Sequence, residues 1–194
     1  MPAPILLLIS GAPCTGKTTL GARLAADLGL PFIYKDGIKE RLFDRLGSKD
    51  VAFSRLLSLA TYDILYYCVQ SQLEAGRSLA VEANFKIQVD SAKFQDIQQR
   101  YGVQLLQIHC HASREALLER FKRRGESPGR HPGHLDHLTY TDIQASLERG
   151  DYAALAIEGP LFEVDTTDFS GLDYPSLIAA LRGAIESYPN GAHP

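Results

Sequence analysis

The chain has 194 residues, enough for one domain with a sizeable buried core. Hydrophobic residues make up 45% and charged residues 22%, and the net charge of −3 provides no basic field that would favour nucleic acid as a partner. The three cysteines, Cys14, Cys68 and Cys110, lack the CxxC spacing and argue against a disulfide scaffold. No apolar run approaches the ~18 residues of a membrane span, and no basic segment precedes the N-terminal apolar run. We therefore expect a cytoplasmic protein without a membrane segment.

Short apolar runs alternate with stretches of helical periodicity along the whole chain. We interpret as strands the runs at 5–9, 31–34, 79–83, 103–110 and 161–165. In the long stretch before the third strand, apolar residues at helical spacing predict a buried helix face formed by Phe53, Leu57, Ala60, Ile64 and Cys68. The alternation predicts an α/β fold in which helices cover both faces of a parallel sheet. We expect one domain over residues 1–187 and a frayed tail over 188–194.

The first predicted strand leads into GAPCTGKT, residues 11–18, which matches the Walker A pattern GxxxxGK[ST]. Its glycines let successive backbone N–H groups point inward as an anion nest, and the next helix adds the positive end of its dipole. Lys17 can reach the β- and γ-phosphates, and the Thr18 hydroxyl can ligate Mg²⁺. Because the motif joins a predicted strand to a predicted helix, we interpret it as a nucleoside triphosphate site.

The rest of the sequence argues against several classes of P-loop protein. A signalling GTPase needs an NKxD guanine reader, which is missing, and the DxxG matches at 44–47 and 168–171 lie in a predicted helix and after the last strand. A transport ATPase needs an LSGGQ-type signature, which is also missing. A ring-forming ATPase needs a longer chain than this one and a tandem acid pair in its Walker B motif. The class that remains is a small kinase.

Asp36 follows the second predicted strand, at the carboxyl edge where ligands bind in an open parallel sheet. A carboxylate there can accept a proton from a substrate hydroxyl or hold Mg²⁺ through water. It can also cap the helix that begins here, and the two roles are compatible. We predict that Asp36 is catalytic and that Gly37 leaves room beside it.

Glu82 lies near the end of the third predicted strand, where P-loop proteins usually place their Walker B acid. A lone acid among small apolar residues is costly unless a cation or hydrogen-bond donors accompany it, and Mg²⁺ with its water shell would do so. We predict that Glu82 acts at the metal, together with Thr18 and Asp36. Asn84 follows two residues later, and both a structural and a functional interpretation of it stay open.

A basic segment at 117–134, LLERFKRRGESPGRHPGH, precedes the last strand. A helix that frays into such a Gly/Pro-rich basic loop can close over phosphates and exclude water, so we predict a lid at about 120–137. The alternative is a solvated helix end, where basic residues are favoured in any case. His131, His134 and His137 have no accompanying cysteine or acid cluster, and we expect no zinc site there.

The segments GAPCTGKTT, YKDGIKERLFD, VEANF and ERFKRR together resemble small P-loop kinases with a nucleoside-monophosphate-kinase-like fold. The group that this chain resembles includes predicted kinases of AAA type. That group is similar to the polynucleotide 5′-kinase domain, chloramphenicol phosphotransferase and zeta toxins. The resemblance spans residues 5–185 and implies the sheet order 2-3-1-4-5 with a helical lid before the fifth strand. It implies that Asp36 is the base, that Arg120 and Arg124 are lid arginines, and that Thr166 borders the adenine. The lid sequence RHPGHLDH matches no characterised substrate class, so the acceptor stays unassigned.

These observations define the expected site. The catalytic residues are Lys17, Asp36, Arg120 and Arg124, and the metal residues are Thr18, Glu82 and Asp36. The nucleotide-binding residues are Gly11, Ala12, Pro13, Cys14, Thr15, Gly16, Lys17, Thr18, Thr19, Arg120 and Thr166. We expect ATP and Mg²⁺ as cofactors and a small-molecule hydroxyl as the phosphate acceptor. Two other functions stay open, a polynucleotide or nucleoside 5′-hydroxyl kinase and a nucleotide-binding regulatory ATPase.

Overall fold

A computed structural model describes residues 3–47, 50–127, 130–134 and 136–187, so the expected tail at 188–194 lies outside the described residues. Five strands form one sheet in the order β2-β3-β1-β4-β5, and every neighbouring pair is parallel. The strands are β1 (Ile5–Gly11), β2 (Phe32–Tyr34), β3 (Leu79–Glu82), β4 (Gln104–His111) and β5 (Leu161–Asp165). The sheet order is confirmed, and the predicted strands agree with the observed ones to within two residues at each end.

Helices connect successive strands, as parallel pairing requires. They are α1 (Lys17–Leu28), α2 (Lys35–Leu46), α3 (Val51–Glu74), α4 (Ile87–Tyr101), α5 (Arg114–Gly125), α6 (Asp136–Glu148) and α7 (Tyr174–Glu186). Two 3₁₀ turns lie at Pro132–His134 and Phe169–Gly171. None of the helices in these ranges is both long and apolar enough to cross a membrane.

The central strand β1 shows why the sheet is covered on both sides. Its side chains point alternately to the two faces, because a strand has a period of two residues. Leu6 and Leu8 pack into a core cluster with α3 and α4, and Leu7 and Ile9 pack into a second cluster with α1 and α7. All four are at most 1% exposed, so the run that reads as a continuous apolar segment is buried from both sides.

The predicted buried face of α3 is largely wrong. Of its five residues only Leu57 is buried, and Ile64 is 36% exposed. The true inner face is displaced by one residue and consists of Ser54, Leu57, Thr61, Leu65, Tyr66, Val69 and Leu73. Apolar side chains also lie on the outer side of this helix, where Leu56 and Leu59 are 61% and 66% exposed, and they make the sequence pattern ambiguous.

The lid stays a prediction, but the helices of this region differ from those expected. Helix α5 continues through Arg124 to Gly125, so Arg120 and Arg124 lie on one regular helix and not on a frayed end. Helix α6 begins at Asp136, where the sequence analysis predicted no helix, and it packs against α5. The Lys and Arg residues of 117–134 therefore lie on α5, except Arg130, which lies in the loop that follows it.

Candidate active site

The register of the sheet brings the polar segments to a single edge. Glu82 aligns with Ile9 of β1 on one side and with Tyr34 of β2 on the other. The chain leaves β1 into the Walker A loop, and it leaves β2 into Lys35 and Asp36. The carboxyl ends of parallel strands meet at the same edge, which is where open α/β sheets bind ligands.

The Walker A loop has the backbone of an anion nest. Gly11, Cys14 and Gly16 all have positive φ, at 135°, 68° and 77°. A Cβ on Gly11 would lie 2.1 Å from the Cys110 carbonyl oxygen, so glycine is required by contact as well as by conformation. Positive φ turns the peptide N–H groups toward the loop centre, and α1 begins directly after it at Lys17.

Lys17, Thr18 and Glu82 form a connected cluster beneath this loop. Lys17 is 6% exposed; its Nζ donates to the Ala12 carbonyl oxygen at 3.1 Å and lies 3.7 Å from Glu82 Oε1. The Thr18 hydroxyl donates to Glu82 Oε2 at 2.8 Å. The Walker A lysine and the predicted metal residues on β3 and α1 are thus in direct contact.

The positive charge near the Glu82 carboxylate is too small to offset the cost of its burial. Burial raises its pKa, while Lys17 and the Thr18 hydrogen bond act in the opposite direction. A divalent cation would favour the ionised form. The hydroxyl and carboxylate oxygens of Thr18 and Glu82 are the hard ligands that Mg²⁺ prefers, and Mg²⁺ commonly uses one or two protein ligands plus phosphate oxygens and water. The donor set therefore fits magnesium.

Asp36 lies in the first turn of α2, beside Lys35. Burial alone would raise its pKa, but the positive charges of Lys35, His134 and Lys17 outweigh burial and lower the pKa to about 2. The Lys35 Nζ lies 3.6 Å from Asp36 Oδ1. Asp36 is therefore ionised at neutral pH.

Gly37 has a different role from the one predicted. A Cβ at this position would lie 2.5 Å from the Tyr34 ring, so the absent side chain makes room for that ring and not for a ligand. Tyr34 in turn stacks on Phe32, with ring centroids 5.4 Å apart. The glycine lets α2 start tightly against β2, which fixes the position of Asp36.

Arg120 links the Walker A loop to the end of β5. Its Nη2 donates to the Thr166 and Thr167 carbonyl oxygens at 2.8 Å each, and its Nη1 donates to the Cys14 carbonyl oxygen at 3.5 Å. The Thr166 hydroxyl donates to the His111 carbonyl oxygen at 2.8 Å, which holds the end of β5 against β4. Arg124, one helical turn further along α5, stacks over the Phe121 ring at 5.3 Å.

The loop at 130–134 is docked on α2 by contacts that the sequence did not reveal. His131 and His134 approach carboxylates of α2, with Nε2 at 3.0 Å from Asp44 Oδ1 and at 2.8 Å from Glu40 Oε1. A Cβ on Gly133 would overlap the Phe43 ring, at 2.2 Å, so this glycine permits close packing. Within the described residues, no group of His, Cys, Asp or Glu could hold a metal ion by itself; the His137 side chain lies outside them.

Many of these groups line one cavity of about 860 Å³. What we call the P-loop half is lined by Cys14, Lys17, Thr18, Glu82, Arg120 and Arg124. What we call the α2 half is lined by Lys35, Asp36, Lys39, Ser54, Ser58 and His134. Most of the predicted site residues therefore face the same space. Gly11, Ala12, Thr15 and Thr166 lie behind the cavity surface, and Thr15 and Thr166 hold the backbone through their hydroxyls.

Lys35, Lys39, Ser54 and Ser58 were missed by the sequence analysis. Two lysines four residues apart on α2, with Asp36 between them, were a signal, because such residues share one helix face. Their serine partners come from α3, at Lys35 Nζ to Ser58 Oγ 3.3 Å and Lys39 Nζ to Ser54 Oγ 3.1 Å. No local pattern marks those serines as part of a site.

The parallel sheet order, the Walker A loop and the acid at the end of β3 define a small P-loop kinase fold of the nucleoside-monophosphate-kinase type. The family model described as an AAA domain matches residues 6–149, and the chain belongs to this family. No curated protein matches the sequence.

Solved structures extend the comparison to nearly the whole chain. A candidate kinase of Chloroflexus aurantiacus is 36% identical, with a TM-score of 0.86, and the alignment covers 94% of this chain and 98% of that one. A sugar kinase of Janibacter sp. HTCC2649 is 16% identical, with a TM-score of 0.59 and 96% of both chains covered. A gluconokinase of Sinorhizobium meliloti 1021 is 15% identical, with a TM-score of 0.51 and coverages of 96% and 94%. The two more distant structures share the fold.

Proposed function

We propose that the protein is an ATP-dependent phosphotransferase that moves the γ-phosphoryl group of Mg-ATP to a hydroxyl of a small molecule. The observation that carries the proposal is the continuous cavity. In this cavity an ionised Asp36 lies beyond the Walker A lysine, where the cavity continues into the α2 half. A nucleotide switch needs only the P-loop half. A phosphotransferase needs a second space beside it, with a polar group at the junction.

Each residue then has a defined task. The Walker A backbone and Lys17 hold the β- and γ-phosphates, and Arg124 on α5 stabilises charge on the transferred group. Thr18 and Glu82 would hold Mg²⁺, which neutralises phosphate charge when it is bound. Arg120 fixes the geometry between the Walker A loop and the predicted adenine side near Thr166, and we retain it as a proposed catalytic residue.

In the reaction, the bond between the γ-phosphorus and the β,γ-bridging oxygen breaks, and a bond from the acceptor oxygen to the γ-phosphorus forms. The acceptor proton passes toward Asp36. A pKa of about 2 makes Asp36 a weak base, so its first task is to orient the hydroxyl. Phosphate charge beside Lys17 would offset one of the cations that lower this pKa. The loose transition state of phosphoryl transfer demands little base strength.

The test is the substitution Asp36→Asn, which keeps the shape of the side chain and removes its charge. We expect near-normal ATP affinity and a loss of about 10²–10⁴-fold in acceptor-dependent ADP release, because the acceptor hydroxyl loses both the group that orients it and the carboxylate toward which its proton passes. Basal ATP hydrolysis should fall less, because water requires less orientation by the α2 half.

The matched control is Asp63→Asn, an exposed aspartate on α3, which should leave both rates unchanged. The assay presents metabolites, nucleosides, antibiotics and 5′-hydroxyl oligonucleotides as acceptors. Transfer at the normal rate by Asp36→Asn would remove Asp36 from the mechanism. The absence of acceptor stimulation across the panel, together with slow hydrolysis and tight ADP binding, would favour the regulatory ATPase instead.

A further inference from the structure

Lys35 lies next to the proposed catalytic Asp36, and the proposed reaction assigns it no task. It is the first residue of α2, and both side chains line the cavity. The two side chains differ in exposure, at 11% for Lys35 and 31% for Asp36. The lysine therefore lies deeper in the cavity wall, and the carboxylate is the more open of the two groups.

The contact between these two neighbours is unusual for a helix. Consecutive residues of a helix do not normally face each other. Lys35 Nζ nevertheless lies 3.6 Å from Asp36 Oδ1, which is an ion-pair distance. A lysine has a flexible four-carbon side chain that loses conformational entropy when it is fixed, so further contacts are needed to hold it toward the carboxylate.

Helix α3 provides these further contacts. Lys35 Nζ donates to Ser58 Oγ at 3.3 Å and lies 5.5 Å from the centroid of the Tyr62 ring. Ser58 and Tyr62 are four residues apart and therefore share one face of α3. The Tyr62 hydroxyl donates to the Asn84 backbone oxygen at 3.0 Å, which ties the ring to the segment after β3. Lys35 is thus held by a helix that is itself fixed against the sheet edge.

The contacts of Lys35 leave the Asp36 carboxylate as the group available to a ligand. An ammonium group has three N–H donors, and Ser58, Asp36 and the Tyr62 ring surround that of Lys35. The ion pair engages Asp36 Oδ1, so Oδ2 is the oxygen that can meet a hydroxyl. A carboxylate with one oxygen held rotates less, and reacting groups misplaced by about 1 Å can lose about 10²-fold in rate.

We propose that Lys35 is a positioning residue: it holds Oδ1 of Asp36 so that Oδ2 is presented to the hydroxyl of the phosphate acceptor. Ser58 in turn positions Lys35. The inference rests on the proposed kinase function for its effect on transfer, while the contact itself can be measured without the reaction. Lys35 touches neither the phosphate nor the acceptor in this role, which distinguishes it from a binding residue.

The test is a double-mutant cycle of Lys35→Gln and Asp36→Asn. The probe is the compound that gives wild type the fastest acceptor-dependent ADP release among glycerol, D-ribose, D-glucose, D-gluconate, adenosine and a 5′-hydroxyl oligonucleotide. Lys35→Gln should lower kcat by about 10–100-fold with little change in the KM of ATP or of the acceptor, because the hydroxyl binds but is no longer aligned. In the Asp36→Asn background the same substitution should change kcat by less than about twofold, since the group that Lys35 positions has been removed.

Two further variants grade the effect. Lys35→Arg keeps the positive charge and should retain part of kcat. Ser58→Ala removes the hydroxyl that holds Lys35 and should lower kcat by a smaller factor, about 2–10-fold. This effect should also disappear in the Asp36→Asn background, so Ser58→Ala provides the same test if Lys35→Gln does not fold.

Lys93→Gln is the matched control, because Lys93 has contacts of the same kinds away from the site. Its Nζ lies 3.9 Å from Asp90 Oδ1 and 4.5 Å from the centroid of the Tyr66 ring of α3. Neither Lys93 nor Asp90 lines the cavity. We expect kcat and both KM values of Lys93→Gln to equal those of wild type.

Urea unfolding of the four proteins of the cycle measures the contact without an acceptor. The stability lost by the double variant should be smaller than the sum of the two single losses, because each single substitution already breaks the ion pair. Additive losses would overturn the inference, and so would a kcat effect of Lys35→Gln that persists at full size in Asp36→Asn. A raised acceptor KM with unchanged kcat, or an equal fall in basal hydrolysis, would also overturn it, since Lys35 would then bind the acceptor or the phosphate.

The outcomes separate this inference from the kinase proposal. Acceptor-dependent transfer by wild type together with an additive cycle would overturn the role of Lys35 and leave the kinase function standing. A wild type that transfers phosphate to no compound of the panel, together with non-additive unfolding, would contradict the kinase function and the positioning role that rests on it. The contact between Lys35 and Asp36 would then stand as a structural ion pair only.

Discussion

The two halves of the cavity are constructed in different ways. In the P-loop half, eight consecutive residues set the geometry through backbone dihedral angles, with positive φ at Gly11, Cys14 and Gly16. In the α2 half, the geometry arises from side chains of α2, α3 and the loop at 130–134, which are up to about a hundred residues apart in sequence. The predicted nucleotide site is therefore encoded locally, whereas the proposed acceptor site is encoded by packing. Substitutions in the two halves should therefore impair the protein in different ways.

The largest expected effect comes from Lys17→Ala in the P-loop half. The loop backbone should persist, but the β- and γ-phosphates lose their cation, and we expect turnover to fall by at least about 10²–10³-fold. Calorimetric ATP titration and ADP release measure the effect, with Lys122→Ala as the exposed control. Full ATPase and kinase activity in Lys17→Ala would show that this loop is not the nucleotide site.

A smaller effect should distinguish two arginines of α5. Arg124→Ala should lower kcat by about tenfold or more with little change in ATP affinity, since it removes charge stabilisation in the transition state. Arg120→Ala should in addition lower the free energy of unfolding by about 1 kcal/mol, because three backbone carbonyl oxygens lose their donor. Steady-state kinetics and urea unfolding separate these results. Equal stability of the two variants would contradict the linking role of Arg120.

The charge of Asp36 should also appear in the pH dependence of stability. Its pKa is lowered in the folded protein, to about 2 from an ordinary value of 3.8, so its stabilising effect is present above pH 3.8 and is lost as the pH falls toward 2. The difference in unfolding free energy between wild type and Asp36→Asn should therefore shrink as the pH falls below 4. Urea unfolding at pH 7, 4 and 3 tests this. A difference that grows on acidification would reverse the sign and contradict the assigned charges.

The last effect concerns backbone strain at Cys14, the one residue other than glycine with positive φ in the described parts of the chain. Holding a non-glycine residue there costs on the order of 1–3 kcal/mol. Cys14→Gly should leave stability unchanged or raise it slightly, and Cys14→Val should lower it by about 1–2 kcal/mol. Thermal unfolding of both variants decides the point. A valine variant as stable as the glycine variant would show that the conformation is not strained.

Much of the fold follows from the sequence, because burial on both faces of a parallel sheet leaves a strong signal. The alternation of Leu6 and Leu8 with Leu7 and Ile9 between two core clusters is a direct consequence of the apolar run. The inner face of α3 could not be read in the same way. Its exposed Leu56 and Leu59 give the helix apolar residues on more than one side, so periodicity alone does not identify the buried one.

The site likewise has one part that the sequence reveals and one part that it does not. The Walker A loop and Glu82 can be located because the loop directly follows a strand and Glu82 lies at the end of one. The lysine–serine contacts of the α2 half depend on how α2 packs against α3. The contacts of His131 and His134 depend on how the loop at 130–134 lies against α2. Such contacts between distant segments have no short-range signature. The residues of the proposed acceptor site therefore became apparent only in the three-dimensional structure.

The most direct test of the central claim is a transfer experiment with ATP labelled at the γ-phosphate. The protein is incubated with labelled Mg-ATP and a metabolite extract, with Lys17→Ala as the inactive comparison, and phosphorylated products are separated by chromatography and identified by mass. We expect wild type to place the label on a small organic hydroxyl compound and Lys17→Ala not to do so. Label that appears only as inorganic phosphate, at a rate unaffected by the extract, would contradict a phosphotransferase with an acceptor site in the α2 half.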